Sequence, residues 1–183
     1  MRQILLTFLL IFSGTTHAEP TAFEESSDTM GNFMVERGLL ARMGDAGHKV
    51  EAKASELIIN AMAFLGVPYK SGGNTFETGF DCSGFVRAIY QQTAGHLLPR
   101  RAEQQAAATQ TIDKTELKPG DLVFFNTMRK AFSHVGIYVG NGKFIHSPKP
   151  GAEVRVEDMG ISYWARRFDG ARRVATSTPG TTP

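Results

Sequence analysis

Cys82 is the only cysteine in the chain, and Asp81 and Ser83 flank it. It follows a loop, Pro68 to Phe80, that contains Gly72, Gly73 and Gly79, and it precedes Phe85, Val86, Ile89 and Tyr90. Those four recur at helical spacing, and Gly95 supplies a stop, so the thiol falls where a helix begins. A thiol attacks as its thiolate, which the free N–H groups and dipole of a helix N-terminus stabilise. The same N–H groups can hold the oxyanion formed when sulfur adds to a carbonyl. A lone thiol can equally be a small buried hydrophobe, because free cysteine is among the most buried residue types.

A cysteine nucleophile needs an imidazole to take its proton and return it to a leaving amine. Five histidines are available. His17 lies in an N-terminal apolar segment, His48 in a connecting arm, and His96 follows a glycine in a loop. His134 opens the strand-like run Val135 to Val139, and His146 closes the run Lys143 to His146. Gly140-Asn141-Gly142 joins these runs, and Asn-Gly is a strong hairpin signal. Two imidazoles on paired strands can stand close enough for one to orient the other, the third role of a catalytic triad. Cys82, His134, His146 and Asp81 are also zinc-ligand types, but they lack metal-ligand spacing, so no metal or other cofactor is expected.

The elements that must position these groups follow helix first, sheet second. Ala54, Leu57, Ile58, Ala61, Met62 and Leu65 form one apolar stripe over Val50 to Leu65, ended by Gly66. A weaker helical pattern from Met30 to Met43 is predicted to stop at Gly44-Asp45-Ala46-Gly47. Pro99 to Thr111 reads as a short helix, and Leu117 to Asp121 as a turn into the apolar run Leu122 to Phe125. Val154 to Glu157 alternates as a strand, and Ala171 to Val174 reads as a last one. Helices followed by antiparallel strands argue an α+β domain.

The 183 residues, 42% hydrophobic and 21% charged, suit one globular domain with short extensions. Residues 1–18 have a basic start, a short apolar run and a small residue at the end, the pattern of a secretory signal cleaved after Ala18. The run is shorter than the roughly 20 residues that span a bilayer. A soluble mature protein without a stable membrane anchor, periplasmic or secreted, is therefore expected. Residues 19–49 read as a flexible leader and short helical arm, residues 50–174 as the catalytic domain, and residues 175–183 as a disordered tail. The formal charge is +2, and loss of Arg2 with the signal lowers it by one. So small a charge gives no footprint for nucleic acid.

Several ordered motifs carry a family resemblance. Gly66-Val67-Pro68-Tyr69 with Gly72-Gly73, Asp81-Cys82-Ser83-Gly84-Phe85-Val86, Leu98-Pro99-Arg100, Lys118-Pro119-Gly120-Asp121-Leu122-Val123-Phe124-Phe125, His134-Val135-Gly136-Ile137-Tyr138-Val139-Gly140 and Phe144-Ile145-His146 resemble the NlpC-type cell-wall endopeptidases, in the family's order. The resemblance implies a papain-like fold with the nucleophile helix packed on an antiparallel sheet. It implies Cys82 as nucleophile, His134 as general base and His146 as the residue orienting it. Tyr69 is implied to help the Cys82 N–H hold the oxyanion, and Asp81, Ser83 and Arg100 to contact substrate. Asp81 or Ser83 at a helix start is equally an N-cap. After Arg100 many relatives carry two hydroxyl residues where this chain has Arg101-Ala102, which bears on substrate preference.

The implied activity is hydrolysis of amide bonds in peptidoglycan stem peptides or cross-bridges, with peptidoglycan peptides as partner and a regulatory protein left unnamed. Acyl transfer to an amine or lipid by a related thiol site, and non-catalytic wall binding, are the competing readings.

Overall fold

The computed structural model describes residues 39–127 and 129–175. The expected signal segment, residues 19–38 of the expected leader and arm, and all of the expected tail but residue 175 lie outside the described residues. The chain divides into two compact units, Met1–Asp45 and Ala46–Pro183. The second holds the sheet and the site.

Helix α1 runs Leu39–Met62, without a break at Gly44 or Gly47. The expected stop does not occur: glycine in a helix interior costs only about 1 kcal/mol, which favourable neighbours offset. Leu57 and Ala61 of the predicted stripe are buried, but Leu65 lies beyond the helix end and is exposed. Strands β1 (Asn74–Thr75) and β2 (Gly79–Phe80) form a small ribbon in the segment expected to be loop. Helix α2, which Cys82 opens, follows as Cys82–Ala94, and Gly95 at φ 65° closes it with N–H bonds to the Gln91 and Tyr90 carbonyls.

Next come α3 (Ala102–Ala107), β3 (Gln110–Ile112), a 3-10 turn at Lys114–Glu116, β4 (Leu122–Phe125), β5 (His134–Gly140), β6 (Lys143–His146), β7 (Arg155–Asp158), the short α4 (Ser162–Ala165) and β8 (Phe168–Arg173). The segment read as one short helix from Pro99 to Thr111 thus splits into α3 and β3. The six strands form one antiparallel sheet in the order β3-β8-β4-β5-β6-β7. The helices and this sheet make an α+β domain. Asn141 and Gly142 turn β5 into β6 with φ of 51° and 71°, the pair of positive values a type I′ hairpin requires.

β4 is buried on both faces, which explains its unbroken apolar run. Leu122 and Phe124 join the core beneath the helices, where Leu57, Phe85, Val86 and Ile89 pack. Val123 and Phe125 join a second cluster with Phe144, Met159 and Trp164 on the opposite face. Because successive side chains alternate faces, His134 shares a face with Gly136, and His146 shares that face with Phe144.

Candidate active site

Asp81 caps α2, accepting a 2.8 Å bond from the Gly84 N–H. Cys82 is therefore the first helical residue, and three N–H groups at this end or nearby address its sulfur: those of Val135, Ser83 and Cys82 itself. Val135 follows His134 in β5, so the thiol sits against the start of the strand that carries the imidazole. Burial nevertheless dominates: it pushes the Cys82 thiol up to about 11, against the lowering by these N–H groups. The stabilisation that the helix end offers a thiolate is thus outweighed by desolvation in the resting site.

His134 and His146 are joined directly, Nε2 to Nδ1 at 2.7 Å. His134 is 4% exposed and His146 fully buried. Gly136 makes this pairing possible, since a Cβ there would lie 2.6 Å from the Phe144 ring and 3.2 Å from the His146 Cβ. Burial, and then its neighbour His146, lower His134 to about 3; burial likewise lowers His146, against the raising effect of Glu157. Each resting group is therefore held neutral. Moving the proton from Cys82 to His134 would create both charges together, so that each would form beside a counter-charge.

Tyr69 is half-buried on the cleft, and its hydroxyl is raised first by burial, then by the charges of Cys82 and Asp81. Its backbone N–H donates 2.8 Å to the Ala152 carbonyl, and the Phe80 N–H donates 3.3 Å to the Pro68 carbonyl, which ties the Tyr69 segment to the residues just before Cys82. Arg100 grips Asp81 from the other side with bonds of 2.9 Å and 2.6 Å and donates to the Ser83 hydroxyl at 3.0 Å. Asp81, Ser83 and Arg100 thus form one polar cluster at the cleft wall, and Asp81 is the helix cap as well. Asp81 faces Arg100 and the helix N–H groups, and among the described residues no three His, Cys, Asp or Glu side chains are grouped to hold a metal ion.

Two contributors were missed in the sequence. Gln105, fully buried, donates 2.9 Å bonds to the Ser83 and Pro99 carbonyls and so locks α3 onto the first turn of α2. Glu157 stands with Oε1 3.8 Å from His146 Nε2 and accepts from the Trp164 indole N–H and from Arg155. Its alternating strand was legible, but a glutamate there reads as a solvated face residue until the β6–β7 register is known. Cys82, His134 and Glu157 all open onto one cleft of about 990 Å³, together with Tyr69, Arg100 and Lys149.

An α+β domain with a thiol at a helix N-terminus and a paired imidazole on the facing sheet is the class that fold and site define. The chain belongs to the NlpC/P60 family, whose pattern it matches over residues 66–173. It is 43% identical over 138 residues to the murein DD-endopeptidase MepH of Escherichia coli K12, covering 73% of this chain and 51% of that protein. It is 37% identical over 154 residues to the γ-DL-glutamyl hydrolase of Bacillus subtilis 168, covering 84% of this chain and 35% of that one. The crystal structure of the NlpC/p60 domain of the peptidoglycan hydrolase SagA superposes with a TM-score of 0.59 at 33% identity, covering 66% of this chain and 98% of that domain. The chain thus spans about half the length of the first relative and about a third of the second.

Proposed function

We propose that this protein is a cysteine endopeptidase that hydrolyses amide bonds in peptidoglycan peptides. The observation that carries the reading is the placement of Cys82, at the start of α2, beside the His134–His146 pair on a shared cleft. In this reading His134 takes the Cys82 proton through Nδ1, since Nε2 is engaged with His146, and sulfur adds to the scissile carbonyl carbon. The tetrahedral oxyanion is held by the Cys82 N–H and the Tyr69 hydroxyl. The C–N bond breaks as His134 returns its proton to the leaving amine. Water, deprotonated by His134, then cleaves the thioester and restores the thiol. Asp81, Ser83 and Arg100 line the wall that meets the substrate peptide.

The names of the two curated relatives specify different bonds, a DD link and a γ-DL-glutamyl link. Either bond suits the same machinery. The pattern of residues 1–18 supports export, and among the described residues no helix is long and apolar enough to cross a membrane. We therefore place the enzyme in the periplasm or outside the cell, with residues 50–174 as its catalytic domain.

The test is digestion of defined muropeptides, stem monomers and cross-linked dimers, with products weighed by mass spectrometry. Cleavage by the native chain and none by Cys82→Ala is expected. Release of the same fragments by the alanine variant overturns the nucleophile assignment, and products formed only with added amine would favour acyl transfer.

A further inference from the structure

The Nε2 atom of His146 is buried and has no hydrogen-bond partner among the described residues. A buried polar atom left in that state costs about 1–3 kcal/mol, so its surroundings call for an explanation. The carboxylate of Glu157 faces it at 3.8 Å. Two donors hold that carboxylate in place: the Trp164 Nε1–H on Oε2 and the Arg155 Nε–H on Oε1. The sheet register explains the aim, because His146 pairs with Arg155 and Phe144 with Glu157, which sets Glu157 diagonal to His146 on one face. Trp164 is 5% exposed, stacks on His134 at 5.6 Å and meets His146 edge-on at 5.1 Å. The indole that anchors the carboxylate therefore also walls both imidazoles.

A neutral imidazole has one N–H and one bare nitrogen, and the partner of one decides the state of the other. A carboxylate beside His146 Nε2 favours a proton there and repels a lone pair. His146 Nδ1 is then bare and accepts from His134 Nε2–H across the 2.7 Å bond. His134 Nδ1 is left bare in turn.

We propose that Glu157 is a positioning residue of the thiol site, setting the tautomers of His146 and His134 so that His134 Nδ1 is free to receive the Cys82 proton. This inference rests on the reading of Cys82 and His134 as nucleophile and base. Glu157 is ionised across the working range, lowered to about 2 by the neighbouring His146 first, then by its bonds from Trp164 and Arg155. The groups facing it are His146 on β6, Arg155 on β7 and Trp164 on α4; His134 and Cys82 follow through His146. Once His134 is protonated, the carboxylate also offsets the new charge through the intervening ring.

The test compares the full chain with Glu157→Gln and Glu157→Asp by three readouts: the His134 tautomer by nitrogen-15 NMR near pH 7, the rate of Cys82 alkylation by iodoacetamide, and kcat and KM on muropeptides. The native protein is expected to carry the His134 proton on Nε2. In Glu157→Gln the amide can donate to His146 and reverse the relay; His134 then carries its proton on Nδ1. A fall in kcat of about 10²-fold, KM within about twofold, and slower alkylation are expected, the wrong-tautomer effect known from other triads. Glu157→Asp keeps the charge and should restore the tautomer and at least a tenfold share of the lost rate.

An unchanged tautomer, or kcat within twofold of native in folded Glu157→Gln, overturns the proposal, as does an aspartate variant that restores nothing. Should the glutamine variant not fold, Trp164→Phe, which removes the indole N–H anchor and trims the ring that walls both imidazoles, must shift the tautomer mixture, and an unchanged mixture overturns the proposal. If native protein cuts no muropeptide, the peptidase reading fails, whereas the NMR and alkylation results still decide the role of Glu157.

Discussion

Nε2 of His134 and Nδ1 of His146 lie 2.7 Å apart in the interior, on neighbouring strands. Each ring thereby has its partner nitrogen chosen, and the pair acts as one unit. His146→Ala should lower kcat/KM by up to about 10⁴-fold, the loss met when the orienting member of a triad is altered. His146→Asn, which keeps a polar atom toward His134, should retain more activity than alanine. Steady-state kinetics on one muropeptide decide the order of the two.

Acid should destabilise the fold from a higher pH than carboxylates alone would produce. His134 is depressed from 6.5 to about 3, and Glu157 from 4.5 to about 2. For both groups the unfolded chain binds protons that the folded chain refuses, so stability is full above the unfolded values and declines as pH falls. The histidine contribution fades between about 6.5 and 3, the glutamate contribution between about 4.5 and 2. Melting temperatures across pH 7 to 3 should fall throughout, and His134→Gln should flatten the upper part of that slope.

Gly84 touches the loop before Cys82. A Cβ there would lie 2.1 Å from the Gly73 carbonyl oxygen and 3.0 Å from the capping Asp81 oxygen. Gly84→Ala should cost about 1–3 kcal/mol, as overpacking of a closed contact does, and displace the start of α2. Urea unfolding with parallel activity measurements checks both effects.

Asp81 combines a helix cap with an ion pair. Its side chain is 16% exposed and that of Arg100 31%. Asp81→Ala should lose about 1 kcal/mol from the cap alone, and more because Arg100 is left facing the cleft wall without its partner. Arg100→Ala spares the cap. Greater destabilisation by Asp81→Ala than by Arg100→Ala, read from thermal melts, is the expected result.

How far the site was legible in the sequence depends on how local each signal is. Cys82 at a helix start, the Asn141-Gly142 turn and the apolar β4 run are set by adjacent residues, and all three lie where the sequence puts them. Glu157, Gln105 and the space at Gly136 arise from contacts across 11, 22 and 10 residues, to His146, Ser83 and His146 respectively. Such contacts exist only once the register is formed. The uninterrupted α1 shows the reverse case, a strong local stop signal that the rest of the helix overrides. The neutral state of Cys82 likewise depends on burial, which the flanking residues do not reveal.

The hydroxyl of Ser147, directly after His146 and fully buried, donates 2.7 Å to the carbonyl of Phe80, two residues before Cys82. This bond crosses 67 residues of chain and ties the loop that leads to Cys82 to the strand end that bears His146. A hinge that separated Cys82 from His146 would break this buried bond, at a cost of about 1–3 kcal/mol. Heat should therefore extinguish catalysis at the same temperature at which the whole domain melts, with no milder interval in which a folded but misaligned enzyme persists.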